Sequence, residues 1–177
     1  GTLITTEEVL LNPNRNSSLS KKDYEAYFEK YLGIKNTVWL KRGLHNDDTD
    51  GHIDNLARFV NENTIVIASE SDPASPNYEN LQENLEILNK SDFKIVEIPL
   101  PDPLYFEDEM LPASYINFLI TNSLVLIPSF SQTEKDQQAL NIFKSIFPNH
   151  TVEALDCIDF LQEGGAIHCL SQQQPKV

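Results

Sequence analysis

Two short runs, far apart in the sequence, hold side chains that could carry out covalent chemistry. The first is GGAIHC over 164–169, which places Cys169 shortly after two flexible glycines. Such a cysteine is either an activated nucleophile or a buried, inert thiol, which is the commoner fate of a free cysteine. If 166–171 is a strand, its alternation puts Cys169 and His168 on opposite faces. A histidine that acts on this sulfur must then come from elsewhere in the chain.

The second run is DDTDGHIDNLARF over 47–59, which supplies an imidazole and a carboxylate. On an extended chain His52 and Asp54 point the same way, and Gly51 beside them lets a ligand approach the backbone closely. The pattern indicates a site, and a solvated acidic turn in front of a strand is the open alternative.

Metal binding is a weaker interpretation of this second run. A calcium loop that begins at Asn46 needs an acidic residue at its twelfth position, which is Ala57. A zinc site could draw on His45, His52 and Asp54, but their spacing fits no standard zinc pattern. We therefore predict neither a metal nor a cofactor.

A thiol, an imidazole and carboxylates without a metal suit a planar cation as substrate. A guanidinium group stays protonated at neutral pH, and carboxylates can hold its N–H groups in a bidentate fork. Each such charge-assisted hydrogen bond contributes about 1.5–3 kcal/mol. The residue types therefore favour a thiolate attacking a guanidinium-like substrate.

The composition narrows the classes of partner and compartment. The 177 residues carry a formal net charge of −14, which favours cationic partners and disfavours nucleic acid and membrane surfaces. Two cysteines are too few for a disulfide framework, and no signal peptide is visible, so we predict a cytoplasmic protein. Because the sequence starts at Gly1 without a methionine, we expect a piece of a longer protein, and a homodimer stays open.

Local patterns predict alternating strands and helices that would position these two runs. Strands are predicted over 3–11, 37–40, 52–60, 64–68, 93–98, 114–121, 123–128 and 151–155. Helices are predicted over 21–32, 78–90 and 133–147, with a helical turn over 157–161.

The order of these elements repeats. Strand, strand, helix, strand occurs over 52–98 and again over 114–155, which predicts an α/β fold made of related units. The proline-rich loop 99–112 between the two units is typical of a lid or binding loop. A closed acidic pocket under this loop would suit a small cation.

Five stretches resemble the agmatine deiminase and bacterial-type (Porphyromonas-type) peptidylarginine deiminase family. They are ITTEEVLLNPNRN (4–16), VWLKRG (38–43), DDTDGHIDNLARF (47–59), PASYINFLI (112–120) and GGAIHCLSQQQP (164–175). The resemblance implies the pentein fold, an α/β propeller of ββαβ units around a pseudo-fivefold axis. Residues 1–177 would be the C-terminal portion of one such catalytic domain, about three units, and the N-terminal half would be their partner.

The resemblance also implies roles for single residues. Cys169 matches the nucleophile, His52 the general acid and base, and Asp54 the carboxylate that grips the guanidinium nitrogens, with an orienting role toward His52 as its alternative. Asn117 and Gly165 would support substrate binding.

The implied reaction is the hydrolysis of agmatine to N-carbamoylputrescine and ammonia, a step toward putrescine. Asp48 would face the far amine of agmatine. The alternative substrate is protein arginine, which would give citrulline, and Ala166, where the family usually has asparagine, bears on this preference. Two further site carboxylates of the family would precede Gly1, so a non-catalytic binding or assembly fragment remains an alternative of another class.

Overall fold

The first unit joins two parallel strands through a helical connection. The structure, a computed structural model, describes residues 1–174, so Pro175 of the C-terminal block quoted above lies outside them. The unit contains β1 (Thr2–Thr6), α1 (Glu7–Leu10), α2 (Lys21–Tyr27) with a π-helical turn after it (Phe28–Leu32), and β2 (Asn36–Leu40).

Two hydroxyl side chains determine where the helices of this unit begin. The Thr6 hydroxyl accepts a hydrogen bond from the Val9 amide at 3.1 Å and caps α1, so the strand predicted over 3–11 is too long. Ser20 caps α2, and Gly33, at φ 67°, ends the π-helical turn.

The second unit has the predicted order of strand, strand, helix and strand. It contains a 3₁₀ turn (Ile53–Asn55), β3 (Ala57–Asn61), β4 (Thr64–Ser69), α3 (Tyr78–Leu88) and β5 (Lys94–Pro99). β3 is antiparallel to β4, and β4 is parallel to β5. The strand predicted over 52–60 begins only at Ala57, because His52 and Asp54 lie in and beside the 3₁₀ turn.

The third unit repeats this topology after the proline-rich loop. That loop contains a short hairpin, β6 (Tyr105–Phe106) and β7 (Glu109–Met110), and the unit then contains β8 (Leu119–Ile120), β9 (Leu124–Ser129), α4 (Thr133–Ile146), β10 (Thr151–Asp156) and α5 (Ile158–Leu161). β8 is antiparallel to β9, and β9 is parallel to β10, so the predicted repeat is confirmed. The strand predicted over 114–121 is much shorter in the structure, where β8 holds only Leu119–Ile120.

Buried asparagines of α3 hold the start of the loop that connects β2 to His52. Asn84 accepts from the Lys41 amide at 2.7 Å, and Asn80 donates to the Arg42 carbonyl at 2.9 Å. Since both asparagine side chains are buried, these bonds fix the chain at this point more firmly than solvent-exposed bonds would.

Trp39 of β2 packs under α2. Its indole N–H donates to Glu25 at 2.9 Å, Tyr24 lies edge-on to its ring at 6.4 Å, and the Lys21 ammonium lies 5.2 Å from the ring centroid. These contacts join the helix of the first unit to its second strand.

Across residues 1–174, every helix is too short or too polar to span a lipid bilayer.

Candidate active site

His52 is held from one side by the loop that precedes it. Its Nδ1 lies 2.6 Å from the Asp47 carboxylate, and the Thr49 hydroxyl also contacts this nitrogen. Asp47 in turn accepts from the Thr49 amide and hydroxyl at 3.0 and 2.7 Å. Because Nδ1 is engaged in this way, the Nε2 side of the ring faces the rest of the site.

Asp54 lies on the 3₁₀ turn and bridges two imidazoles. One carboxylate oxygen, Oδ1, lies 2.8 Å from His52 Nε2, and the other, Oδ2, lies 2.6 Å from His168 Nδ1. The extended chain predicted for His52 and Asp54 is wrong, because Asp54 lies in the 3₁₀ turn that follows His52, yet the two side chains do converge.

Cys169 meets these groups from the opposite end of the sequence. Its Sγ lies 3.5 Å from His52 Nε2, 3.5 Å from Asp54 Oδ2 and 3.0 Å from Asn117 Nδ2. Cys169 is exposed, whereas Cys157 is 1% exposed, and burial raises the pKa of the Cys157 thiol to about 11. The two cysteines therefore differ: Cys169 is an accessible thiol in a polar cluster, whereas Cys157 is buried, which disfavours its reactive thiolate form.

The strand predicted over 166–171 is wrong. This segment is a turn in which the Leu170 amide donates to the Ala166 carbonyl at 3.3 Å. In a turn, unlike a strand, neighbouring side chains can lie on the same side, so His168 joins the site through Asp54 beside Cys169. His168 still does not act on the sulfur directly, since its ring bonds to the carboxylate.

Asn117 connects the backbone of this turn to the sulfur. Its side chain is fully buried, and its Oδ1 accepts from the amides of His168 at 2.9 Å and Cys169 at 3.3 Å. Its Nδ2 points toward Cys169 and donates to Asn55 Oδ1 at 2.9 Å. The structure thus places Asn117 at the centre of the cluster.

Gly164 and Gly165, which precede Cys169, lie close to Asp48 and to Cys169 respectively. A Cβ added at Gly165 would lie 2.6 Å from the Cys169 Cβ and 3.0 Å from its Sγ. A Cβ added at Gly164 would lie 3.7 Å from Asp48 Oδ2, so this carboxylate borders the turn that carries Cys169.

The charges of the cluster are strongly perturbed. Burial disfavours a charged His52 ring, but hydrogen bonds to Asp47 and Asp54 outweigh it and raise the pKa of His52 to about 12. Burial alone would raise the pKa of Asp54, but the two histidines outweigh it and hold that pKa well below its usual range. Both shifts favour an imidazolium bound between two carboxylates at neutral pH.

Arg58 on β3 adds a half-buried cation close to the cluster. Desolvation lowers the pKa of its guanidinium to about 10, while the nearby Asp54 and Cys169 oppose this shift. The Arg58 guanidinium donates to the Phe118 carbonyl and lies 4.3 Å from the centroid of the Phe118 ring.

Sequence reasoning missed three members of this arrangement: Asp47, His168 and Arg58. The spacing of Asp47 and Thr49 carried one usable signal, since an Asp two residues before a Thr commonly forms a local turn through its carboxylate. Arg58 carried no such signal apart from its place in the run 47–59.

Among residues 1–174, the side chains close enough together to ligate one metal ion are His52, Asp54 and Cys169, whose ligand atoms lie within 4.8 Å of one another. His45, considered above as a zinc ligand, is not part of this cluster. A Cys–His–Asp set is also what nucleophilic catalysis without a metal requires.

The loop 99–112 forms part of the wall of an acidic cavity. It borders a cavity of about 590 Å³ with Glu70, Asp72, Asp102 and Glu109 in its wall, and Cys169 does not line that cavity. An acidic cavity thus lies against this loop, and its use as the substrate pocket stays a prediction.

Comparison with known proteins places almost the whole chain in one family. The sequence profile described as "Porphyromonas-type peptidyl-arginine deiminase" matches residues 1–175. The agmatine deiminase of Pseudomonas fluorescens is 40% identical over 199 residues, which cover 99% of this chain and 54% of that protein.

Solved structures agree. A C. jejuni agmatine deiminase with substrate bound has a TM-score of 0.90 at 36% identity, covering 94% of this chain and 50% of that one. The agmatine deiminase of Enterococcus faecalis has a TM-score of 0.93 at 30% identity, covering 99% of this chain and 54% of that one. The predicted pentein fold is thereby confirmed as a partial propeller, and the chain spans about half the length of the relatives it matches.

Proposed function

Because this chain belongs to the Porphyromonas-type peptidyl-arginine deiminase family, we propose that the full-length protein hydrolyses the guanidinium group of agmatine. The observation that carries the proposal is the approach of the Cys169 sulfur to within 3.5 Å of His52 Nε2. A thiol and an imidazole from opposite parts of the sequence, with Asp54 touching both, form the arrangement that covalent catalysis on a cationic carbon requires.

In the first half of the reaction, the Cys169 thiolate attacks the central guanidinium carbon. The imidazolium of His52 and the Asn117 amide both lie next to the sulfur and favour its negative charge. His52 then donates its proton to the departing nitrogen, which leaves as ammonia. The C–N bond breaks, and an amidino-thioether of Cys169 remains.

In the second half, the neutral His52 removes a proton from water. The water oxygen attacks the same carbon, the C–S bond breaks, and Cys169 leaves as the thiolate. The carbon keeps one oxygen and two nitrogens, so the product is a ureido compound, and His52 is protonated again for the next cycle. The raised pKa of His52 supports its role as the acid that starts the cycle.

Asp54 serves as the carboxylate that grips the guanidinium nitrogens. It is ionised, because its pKa is held well below the usual range, and it lies beside the sulfur where the planar cation must bind. Asp47 occupies Nδ1 of His52, so orienting the ring does not depend on Asp54 alone.

Agmatine is favoured over protein arginine as the substrate. Relatives at 40% identity are named agmatine deiminase. Asp48 borders the turn that carries Cys169, which supports a role for its carboxylate in binding the far amine. Gly165, packed against Cys169, leaves the space in which the flat cation reaches the sulfur. The remaining site carboxylates would come from the rest of the full-length protein.

Both cysteines are free, which supports a cytoplasmic location.

The test is to assay the full-length protein for ureido product from agmatine and from a blocked arginine peptide. We expect turnover of agmatine and little of the peptide. Turnover of the peptide alone would assign the protein to peptidylarginine deimination instead. A Cys157→Ser variant serves as the control and should keep its activity, whereas Cys169→Ser should lose it.

A non-catalytic binding or assembly role is the candidate of another class, since the chain spans half of its relatives' length. It predicts that Cys169 of the full-length protein reacts with iodoacetamide no faster than a free thiol and that agmatine is not consumed. Faster labelling together with turnover would exclude it.

A further inference from the structure

Asp54 is held by two imidazoles, one on each carboxylate oxygen. His52 Nε2 lies 2.8 Å from Oδ1, and His168 Nδ1 lies 2.6 Å from Oδ2. A carboxylate that is bonded at both oxygens cannot rotate freely about its Cβ–Cγ bond, so the direction of its plane is fixed.

The turn that carries Asp54 does not by itself provide this constraint. Asp54 is the central residue of a three-residue 3₁₀ turn, and its side chain is only 15% exposed. Its Oδ2 also lies 3.3 Å from Asn117 Nδ2, a longer contact than the one to His168. Each carboxylate oxygen has two acceptor positions. Oδ1 keeps one of them for a guanidinium N–H, whereas on Oδ2 the guanidinium has to replace the longer contact from Asn117.

His168 is itself well anchored for such a role. Its backbone amide donates to Asn117 Oδ1 at 2.9 Å, and its carbonyl accepts from the Ser171 hydroxyl at 2.8 Å. The backbone is thus held on both sides, while the ring, 37% exposed, reaches Asp54.

We propose that His168 is a positioning residue, which donates its Nδ1–H to Asp54 Oδ2 and so holds the carboxylate facing the guanidinium beside Cys169. The inference rests on the proposed function. It gives His168 no contact with the reacting atoms, and it explains why a histidine adjacent to the nucleophile bonds to the carboxylate and not to the sulfur.

Three substitutions in the full-length protein test this role. In His168→Asn the amide N–H lies about where Nδ1 lies, in His168→Gln it reaches toward the position of Nε2, and His168→Ala removes the donor. We expect His168→Ala to raise the KM for agmatine by about 10–100-fold, with a smaller change in kcat, because Asp54 grips the cation throughout the reaction. His168→Asn should recover most of this loss, and His168→Gln should not.

A second measurement does not depend on turnover. Cys169 is alkylated with a reagent that carries an amidinium group and, separately, with neutral iodoacetamide, and the ratio of the two rates is taken. The wild type should prefer the cationic reagent, His168→Ala should lose this preference, and His168→Asn should restore it.

An unchanged KM and an unchanged rate ratio in His168→Ala would overturn the proposal, as would an Asn variant as impaired as the Ala variant. If His168 were merely structural, replacing it would lower the free energy of unfolding and leave the KM of the folded protein unaltered. If the rate ratio responds as expected but the wild type does not consume agmatine, the proposed function fails while the positioning role stands.

Discussion

Gly165 leaves no room for a side chain beside the nucleophile. We expect Gly165→Ala to lower kcat/KM for agmatine by about 10²-fold, because a methyl 2.6 Å from the Cys169 Cβ forces the turn to shift by a fraction of an ångström or more. Steady-state kinetics measure the loss, and a thermal melt checks that the protein remains folded. Wild-type activity in this variant would show that the turn is more adaptable than its packing indicates.

Asp47 controls the proton of His52 from the side away from the sulfur. Its carboxylate helps to raise the pKa of His52 to about 12, so Asp47→Asn should lower that pKa. In the proposed mechanism His52 must be protonated to deliver a proton to the leaving ammonia, so we expect activity to fall as the pH rises through this pKa. The alkaline limb of the kcat/KM profile should therefore move to lower pH in the variant.

The matched control for this experiment is Asp159→Asn, which removes one exposed carboxylate on α5. It should leave the alkaline limb where the wild type has it. A profile that does not move in Asp47→Asn, or that moves equally in both variants, contradicts the role given to Asp47.

At the scale of elements, the loop before His52 is fixed by the close contact between Gly43 and Gly51, where a Cβ added to Gly43 would collide with the Gly51 Cα. Gly51 adopts φ 76°, its carbonyl accepts from the Thr6 hydroxyl at 2.7 Å, and a Cβ added to it would collide with the Glu8 carboxylate. Glu8 in turn accepts from the Gly43 amide at 2.7 Å. This packing ties α1 to the residue directly before His52.

Gly51→Ala should lower the free energy of unfolding by about 1–3 kcal/mol and also reduce agmatine turnover, because both the backbone strain and the collision displace His52. Gly33→Ala is the matched control: Gly33 has φ 67° but nothing within 4 Å of an added Cβ. Urea unfolding should show a loss in both variants, larger for Gly51→Ala, while activity falls only in that variant. Equal activity in the two variants would argue against this coupling.

How far the sequence predicted the structure depends on the length of each pattern. The helices over 78–90 and 133–147 carry apolar residues over several turns and were predicted to within a few residues of α3 and α4. The segment 166–171 is too short for its alternation to indicate a strand. Its turn depends on hydrogen bonds from the His168 and Cys169 amides to Asn117, which is far away in the sequence. Such bonds cannot be inferred from local periodicity.

The same distinction holds for the site. Cys169, His52, Asp54 and Asn117 were identified through the family resemblance, and the structure brings them together. The contact between Asp47 and His52 exists because the loop folds back through Thr49, which depends on loop conformation and not on residue spacing alone. His168 was placed on the face opposite Cys169 because 166–171 was predicted to be a strand, whereas the segment is a turn.

At the scale of the whole molecule, the net charge of −14 should influence substrate binding. Agmatine is a dication at neutral pH, so the KM should rise several-fold as the salt concentration increases toward 1 M, where the screening length falls to about 3 Å. kcat should change little. Alkylation of Cys169 by neutral iodoacetamide is the control and should not respond to salt, and a KM that is independent of salt would show that only local carboxylates matter.

The packing of the half-buried Trp39 against Glu25 and Tyr24 gives the chain an intrinsic optical reporter. It is the one tryptophan among the 177 residues, and it lies where α2 packs on β2, so its emission follows the separation of that helix from that strand. Fluorescence during denaturation would thus monitor the first unit, while agmatine turnover monitors the site. A difference between the two midpoints would show whether the propeller units melt together or in sequence.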